Sequence, residues 1–229
     1  MHERLTALVL GQQVSALDLP KLCREHGVDV RGVLHVGAHE GGELGVYESM
    51  GAQRIVLVEA NPAVYARLAE AMRGRPDVMA IHRAISDKAG RVKLHLASSD
   101  RCGSLLPMAS HLVIYPDIAP LGTVEVDATT LDALLGELAL PVSQFNLLRV
   151  GVQGAEARVL SGAKDVLPHM DAVAVEVGFA ELYQRCSQVE DIDRILGSAG
   201  FQRVSMASPV HPSWAEAFYV RDSSSNGNT

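Results

Sequence analysis

The feature that most constrains this fold is a repeated alternation between short apolar runs and stretches with helical periodicity. Apolar strands that alternate with helices are typical of a parallel sheet covered by helices on both faces, which predicts a doubly wound α/β fold. Only a loop separates the last two runs, so we expect them to pair antiparallel as a hairpin at the sheet edge. Strands of this sheet are predicted at residues 33–36, 54–58, 78–84, 146–150, 172–177, 201–206 and 217–220.

Helices are predicted between these strands, and residues suited to helix starts mark two of them. Asp18 and Pro20 offer a cap and a first-turn proline for the first helix, as Asn61 and Pro62 do for the third. The predicted helices cover residues 19–26, 44–50, 62–73, 131–138, 155–160 and 189–199.

The alternation pauses in the middle of the chain. Residues 92–96 alternate like a half-exposed strand, and residues 123–126 are the expected partner of that strand. Between them, residues 97–122 hold Gly, Pro and Ser without a sustained period. A loop of this length inside a compact domain is usually a lid or a binding segment, so we expect residues 97–122 to form a lid.

Length and composition fit one domain, which we place at residues 1–222, with a helical cover at 1–30 and a disordered tail at 223–229.

The net charge of -7 argues against nucleic-acid binding, because phosphate contacts require clustered Lys and Arg. No apolar run approaches the roughly 20 residues of a membrane span, and we expect no signal peptide. The three cysteines, Cys23, Cys102 and Cys186, are odd in number and far apart in the sequence, so they do not suggest a disulfide framework. The expected location is therefore the cytoplasm.

The stretch VLHVGAHEGGE, residues 33–43, leads from the first strand into a loop with three glycines. A phosphate-binding P-loop requires GK followed by Ser or Thr, and this loop has no such Lys. A dinucleotide site requires GxGxxG, whose middle glycine admits the pyrophosphate. His39 takes that middle position between Gly37 and Gly42, and the two glutamates of the loop would repel a pyrophosphate. A dehydrogenase is therefore disfavoured.

Glu59, at the end of the second predicted strand, indicates a nucleoside ligand without phosphate. Its carboxylate can accept hydrogen bonds from both ribose hydroxyls. S-adenosylmethionine joins such a ribose to a zwitterionic amino acid and a cationic sulfonium, so an acid-rich glycine loop suits it better than NAD. A tight strand–helix turn with a surface acid remains the alternative explanation of the same residues.

The chain also carries the linked blocks VGAHEGGE, YESMG, VEANP, AISDKAG, TLDAL, VQGAEARVLSGA and EVGFAELY. Over residues 32–220 these blocks resemble the FkbM-type S-adenosylmethionine-dependent methyltransferases, and together they are more specific than one glycine loop. The resemblance implies a class I methyltransferase fold, which is Rossmann-like and doubly wound. Its mostly parallel sheet has seven strands, of which the last is antiparallel.

The resemblance further implies an activity and a cofactor site. We expect O-methylation of a hydroxyl on a sugar, a polyketide or another secondary metabolite, with S-adenosyl-L-methionine as donor and S-adenosyl-L-homocysteine as product. By the match, the methionine part would contact Gly37, Ala38, His39 and Gly41, the ribose Glu59 and Ala60, and the adenine Ala84, Ile85, Ser86 and Asp87. Glu43, Asn61 and Gly151 complete the expected cofactor site.

Gly151 is the main departure from the family pattern. Similar sequences usually read IDVQGAE or VDVEGAE, with an aspartate where this chain has Gly151 in VGVQGAE. Either Glu156, Glu176 or a lid residue replaces that carboxylate, or the protein binds the cofactor with weak or lost catalysis. Restoring the carboxylate by Gly151→Asp is expected to raise methyl transfer or to tighten cofactor binding.

Methyl transfer to a hydroxyl benefits from a general base, commonly His or a carboxylate. The candidates are His39 in the glycine loop, His111 in the predicted lid and Glu176 at the end of the fifth predicted strand. Each has a structural alternative, because single histidines are often surface residues and a buried glutamate can accept backbone hydrogen bonds. The histidines show no HxH or HExxH spacing, so no metal site is expected. The expected partner is a small hydroxyl-bearing molecule, not a nucleic acid or a membrane, and the oligomeric state is left open.

Overall fold

Ten strands and seven α-helices make up the regular structure of residues 16–208 and 211–222, which are the residues that the computed structural model describes. The strands are β1 (Gly32–Val36), β2 (Arg54–Glu59), β3 (Val78–His82), β4 (Ala84–Ile85), β5 (Gly90–Ala97), β6 (Pro120–Thr129), β7 (Leu147–Val150), β8 (Ala172–Gly178), β9 (Phe201–Ala207) and β10 (Trp214–Arg221). The helices are α1 (Leu19–Glu25), α2 (Leu44–Ser49), α3 (Pro62–Ala71), α4 (His111–Ile114), α5 (Leu131–Glu137), α6 (Glu156–Ser161) and α7 (Val189–Ser198).

The main sheet has seven strands in the order β3-β2-β1-β7-β8-β10-β9. Neighbouring strands are parallel, except that β10 runs antiparallel to both β8 and β9. The predicted mostly parallel sheet with an antiparallel last strand is therefore confirmed. Since β10 lies between β8 and β9, one edge strand of the sheet is β9 and the other is β3.

Helices cover both faces of this sheet. On one face, Leu22 of α1, Tyr47 of α2 and Leu68 of α3 share one hydrophobic cluster, which includes Val33 of β1. On the other face, the helices α5, α6 and α7 pack in a second cluster that includes the next residue of β1, Leu34. Successive side chains of a strand point to opposite faces of the sheet, so Val33 and Leu34 each meet an apolar layer of helices. All five residues of β1 are buried.

The predicted helix caps are confirmed. The Asp18 side chain accepts a hydrogen bond from the Lys21 amide at 3.0 Å, and the Asn61 side chain accepts one from the Ala63 amide at 3.1 Å. Each cap thus satisfies one of the free N–H groups in the first turn of its helix.

A second, smaller sheet in the order β4-β6-β5 corrects the prediction of one strand over residues 78–84. The strand β3 ends at His82, whereas Ala84 and Ile85 leave the main sheet and pair parallel with β6. The predicted pairing of 92–96 with 123–126 is confirmed as the antiparallel pair β5 and β6, which extends further in both directions.

Residues 97–122, named the lid segment below, have more local structure than the sequence predicts. They contain a short 3₁₀ helix at Asp100–Cys102 and the helix α4. Isolated bridges join Ser104 to His95 and Met108 to Tyr183. That this segment acts as a lid stays a prediction.

Two predicted terminal features fall largely beyond the described residues. Of the predicted helical cover at 1–30, residues 1–15 lie outside them and α1 lies within; the predicted tail at 223–229 lies outside. Among the helices that the structure describes, none is long and apolar enough to cross a membrane.

Candidate active site

A cavity of about 260 Å³ opens at the carboxyl ends of β1, β2, β7 and β8, beneath the lid segment. Ligands of open α/β sheets bind at this edge. The cavity brings together all three predicted catalytic residues, His39, His111 and Glu176. The predicted cofactor residues in its lining are Gly37, His39, Glu59, Ala60, Asn61, Ala84, Ile85 and Gly151.

Gly37 follows β1 at a point where a side chain does not fit. Its φ is +84°, and a β-carbon there would lie 1.9 Å from the carbonyl oxygen of Gly151. Gly41 has a φ of +78°, and its β-carbon would lie 3.0 Å from the Leu68 side chain on α3. Packing therefore explains both glycines without a ligand, as the structural alternative requires.

Glu59, the last residue of β2, holds its carboxylate at the cavity by two backbone hydrogen bonds. Its Oε2 accepts from the His39 amide at 2.9 Å, and its Oε1 accepts from the Asn61 amide at 2.7 Å. Burial raises the pKa of Glu59, although these amides and His39 oppose the shift. Each oxygen keeps a further lone pair, so the fixed carboxylate can still accept two hydrogen bonds from a ligand.

An apolar wall adjoins this carboxylate. Ala60, Ala84, Leu94 and Leu105 belong to one hydrophobic cluster, and all four line the cavity. Ile85 lines it as well. This part of the cavity offers a carboxylate beside apolar surface, which suits a sugar joined to a flat heterocycle.

Five predicted cofactor residues lie outside this lining: Ala38, Gly41, Glu43, Ser86 and Asp87. Ala38 is buried in the core, and Gly41 packs on α3. Ser86 is buried and donates a hydrogen bond to Asp87 Oδ1 at 3.0 Å, whereas Asp87 itself is exposed. We therefore do not carry these five residues into the proposed cofactor site.

Glu43 instead belongs to a buried polar network below the cavity. Arg149 of β7 forms ion pairs with Glu216 of β10 and with Glu43, the latter at 3.5 Å between Nη2 and Oε1. The Tyr47 hydroxyl donates to Glu43 Oε2 at 3.0 Å. Burial lowers the pKa of His35, the fifth member, to about 4, so its ring is neutral. Arg149 offsets part of the negative charge that is buried within the sheet, and Arg149 and Glu216 also line the cavity.

Glu176 of β8 lies beside Gly151, the position at which the family pattern has an aspartate. The strands β7 and β8 pair Val150 with Val175, so the two residues are the next neighbours in register. Gln153 Nε2 donates to Glu176 Oε2 at 2.9 Å. Burial raises the pKa of Glu176 to about 8, and Arg149 only partly offsets it. A carboxyl group from the neighbouring strand thus lies at the position without an aspartate.

Glu156, another candidate for that replacement, is committed to the backbone. Its Oε1 accepts hydrogen bonds from the amides of Val152 and Gly154, both at 3.0 Å. The Ser187 hydroxyl lies 3.4 Å from its Oε2. Glu156 therefore fixes the loop after β7.

His39 links the glycine loop to the lid segment. Its Nε2 lies 2.9 Å from Asp100 Oδ1, and Arg67 of α3 forms ion pairs with both Asp100 and Glu40. Ligand atoms of His39, Glu40 and Asp100 lie within 4.8 Å of one another, which is close enough to hold a metal ion. However, the Arg67 guanidinium already pairs with both carboxylates, so these residues suit an ion-pair link better than a cation site.

Aromatic side chains form the wall around His111. Its ring centroid lies 4.9 Å from that of Tyr115 and 5.4 Å from that of Tyr183. Burial lowers the pKa of His111, and its buried Nδ1 has no hydrogen-bond partner among the described residues. Trp214 Nε1 donates to the Tyr115 hydroxyl at 3.2 Å. This wall can stack against a ring and offers a neutral imidazole.

Five residues that shape this cavity were not predicted from the sequence, although four of them carried a signal. Arg149 is a charged residue within an apolar run, and Glu216 directly precedes a predicted strand. Gln153 lies in the VQGAE block and Tyr183 ends the EVGFAELY block. Asp100 lies in the aperiodic lid segment, where no periodic pattern marks it.

Comparison with known proteins finds similarity to methyltransferases. The family model described as Methyltransferase FkbM domain matches residues 35–203. The 2-O-methyltransferase NoeI of Sinorhizobium fredii is 26% identical over 160 residues, which cover 66% of this chain and 65% of that protein. This chain therefore spans slightly less than two thirds of that relative's length.

Solved structures show the same fold at low identity. Methyltransferase FkbM from Methylobacillus flagellatus has a TM-score of 0.56 at 14% identity, with 84% of this chain and 44% of that chain covered. A SAM dependent methyltransferase from Aquifex aeolicus has a TM-score of 0.50 at 11% identity, with 96% and 98% covered. The class I methyltransferase fold is thereby confirmed. Since the family model matches more than half of its residues, this chain belongs to the FkbM methyltransferase domain family.

Proposed function

We propose that this protein transfers a methyl group from S-adenosyl-L-methionine to a hydroxyl of a small molecule, which is a sugar, a polyketide or another secondary metabolite. The observation that carries this proposal is a pair of carboxyl groups, Glu59 and Glu176, in one cavity. Their strands lie three positions apart in the sheet, roughly 14 Å at ~4.8 Å per strand. That separation leaves room for a nucleoside beside Glu59 and for an acceptor beside Glu176.

The residues near β2 fit the cofactor. The Glu59 carboxylate, fixed by two amides, accepts hydrogen bonds from the ribose hydroxyls. Ala60, Ala84 and Ile85 supply the apolar surface for the adenine, and the methionine part passes Gly37, which lines the cavity. When bound, S-adenosylmethionine supplies an electrophilic methyl group on its sulfonium.

Glu176 is the proposed general base. Gln153 binds its Oε2, which leaves Oε1 to accept the proton of the acceptor hydroxyl. A base must be unprotonated, and burial raises the pKa of Glu176 to about 8. The rate is therefore expected to rise as the pH approaches that value, and a bound cation would lower the midpoint.

The two histidines take other roles. His39 is engaged by Asp100 and by Glu59, so we assign it to holding the glycine loop against the lid segment. His111 is the second candidate base, since burial keeps its ring neutral at ordinary pH. A base with its lowered pKa would give a rate that is independent of pH above about 7, which distinguishes it from Glu176.

The relative named 2-O-methyltransferase supports a hydroxyl acceptor. A second candidate function is a protein that binds the cofactor with weak or lost catalysis, and Gly151 in place of a carboxylate favours it. The position of Glu176 beside Gly151 favours the active enzyme, because the carboxyl group is present on the neighbouring strand.

The test is methyl transfer from S-adenosylmethionine to a panel of glycosides and polyketide alcohols, followed by mass spectrometry. We expect a methylated product, and Glu176→Gln should lower the rate by about 10²–10⁴-fold, the usual contribution of a general base. Glu190→Gln, an exposed change on α7, is the matched control and should leave the rate unchanged. Binding of S-adenosylhomocysteine without any product across the panel would support lost catalysis, and full activity of Glu176→Gln would remove the base assignment.

A further inference from the structure

A second cavity of about 270 Å³ lies between the lid segment and the strands β5 and β6. No Asp, Glu, Lys or Arg side chain occurs in its lining, as far as the described residues show. The lining consists of His95, Leu96, Cys102, Pro107, Met108, Leu112, Pro120, Gly122, Thr123 and Tyr183, and we call this cavity the lid groove. Its largely apolar lining contrasts with the carboxyl groups of the first cavity, so the two spaces suit different parts of a ligand.

The lid groove and the first cavity share a wall. Cys102 and Tyr183 line both spaces. The Tyr183 hydroxyl lies 3.2 Å from the Cys102 carbonyl oxygen and 3.1 Å from Gln153 Oε1. Gln153 in turn binds Glu176 at 2.9 Å. One aromatic ring and one amide group therefore separate the lid groove from the proposed base.

Exposed apolar side chains mark the lid segment. Leu112 is 43% exposed, Val113 81% and Leu121 67%. They are three of the six large apolar side chains that are exposed within the described residues, although the lid segment is a small part of the chain. Leu112 also lines the lid groove. Apolar surface that is concentrated beside a cavity usually contacts a ligand or a partner.

We propose that the lid groove is a second compartment of the acceptor site, which takes an uncharged, apolar portion of the acceptor while its hydroxyl lies beside Glu176. The acceptor is then amphiphilic: a hydroxyl-bearing head is joined to an alkyl chain or another apolar group. This inference rests on the proposed function for the place of the hydroxyl. Because the two spaces adjoin at Cys102 and Tyr183, one ligand that contacts both is favoured over a second copy of the chain.

The test uses N-phenyl-1-naphthylamine, an uncharged probe that fluoresces in apolar surroundings, with the full-length protein. We expect saturable binding that octyl β-glucoside, below its micelle concentration, displaces at least tenfold better than methyl β-glucoside. Thr123→Trp fills the lid groove from an exposed position of β6 and should weaken probe binding at least tenfold. Lys93→Trp, on the exposed surface of β5 and outside both cavities, is the matched control and should change nothing.

Leu112→Ser provides a second variant that removes apolar surface without filling space, and it should weaken probe binding at least threefold. Titration with S-adenosylhomocysteine in parallel separates this inference from the proposed function. Normal cofactor binding in Thr123→Trp together with lost probe binding supports the compartment. Cofactor binding without probe binding overturns the compartment alone, whereas probe binding without cofactor binding overturns the methyltransferase site. Probe binding that weakens as protein concentration and dimer content rise would assign the groove to a second copy of the chain and overturn the inference.

Discussion

The carboxyl group of Glu176 occupies the space that a side chain at Gly151 would enter: a β-carbon built on Gly151 lies 3.1 Å from Glu176 Oε1 and 3.2 Å from Cδ. Gly151 is not among the residues with positive φ, so its backbone alone would accept a side chain. Glycine at this position therefore makes room for the glutamate of the next strand. The Glu176 carboxyl group is therefore the carboxyl group that the structure places beside Gly151.

This relationship predicts a stability cost for Gly151→Asp, whose expected gain in methyl transfer or cofactor binding stays a prediction. The new carboxylate would crowd the Glu176 carboxyl group and further disfavour its ionisation, which should destabilise the fold by about 1–3 kcal/mol. The double variant Gly151→Asp/Glu176→Ala restores a single carboxyl group and should recover most of that loss. Urea unfolding of the three proteins measures both changes, and a single variant as stable as the parent chain would contradict crowding between position 151 and Glu176.

The protonation of Glu176 predicts how stability depends on pH. Its folded pKa of about 8 lies above the ordinary value of 4.5, so the folded protein keeps a proton that the unfolded chain releases between these values. This contribution to stability is complete below about pH 4.5 and is lost as the pH rises through about 8. Glu176→Gln should match the parent at pH 5 and melt higher at pH 9 by at least about 2 °C. If the melting temperatures of Glu176→Gln and the parent differ by the same amount at pH 5 and pH 9, Glu176 does not hold its proton in the folded protein.

The link between His39, Asp100 and Arg67 predicts local control of the lid segment. Asp100→Asn removes its ion pairs and should speed hydrogen exchange in residues 98–105, while global stability changes by about 0–1 kcal/mol because the carboxylate is exposed. Asp127→Asn removes a comparable exposed pair with Arg91 and should leave that exchange unaltered.

In the parent chain, cofactor product with an acceptor should slow hydrogen exchange over residues 97–122. Identical exchange with and without these ligands would show that the segment is not a lid.

Arg149 forms ion pairs with both Glu43 and Glu216 in the buried network. Arg149→Met keeps much of the volume but takes this positive charge away from two carboxylates, which should cost about 3–5 kcal/mol of unfolding free energy. Arg149→Lys retains the charge and should lose clearly less. Denaturant unfolding of both variants decides the point, and equal losses would mean that volume, not charge, holds this part of the sheet.

The sequence predicts much of the fold and only part of the site, for physical reasons. Caps such as Asn61 and buried strands such as β1 follow from local rules of hydrogen bonding and side-chain alternation. The departure of Ala84 from the main sheet does not, because it depends on pairing with β6 about forty residues later. The contact of Glu176 with the space beside Gly151 likewise requires the register of β7 and β8. Spacing along the chain carries no information on such a neighbour.

Calorimetric titration with S-adenosylhomocysteine tests the proposed phosphate-free nucleoside site at Glu59. The parent chain should bind this ligand and not NAD, and Glu59→Ala should weaken binding by about 1–3 kcal/mol, the range for a charged hydrogen-bond partner. Asp87→Ala, which removes an exposed carboxylate outside the cavity, is the matched control and should titrate like the parent. An unchanged titration of Glu59→Ala, or binding of NAD in preference to S-adenosylhomocysteine, would contradict the account.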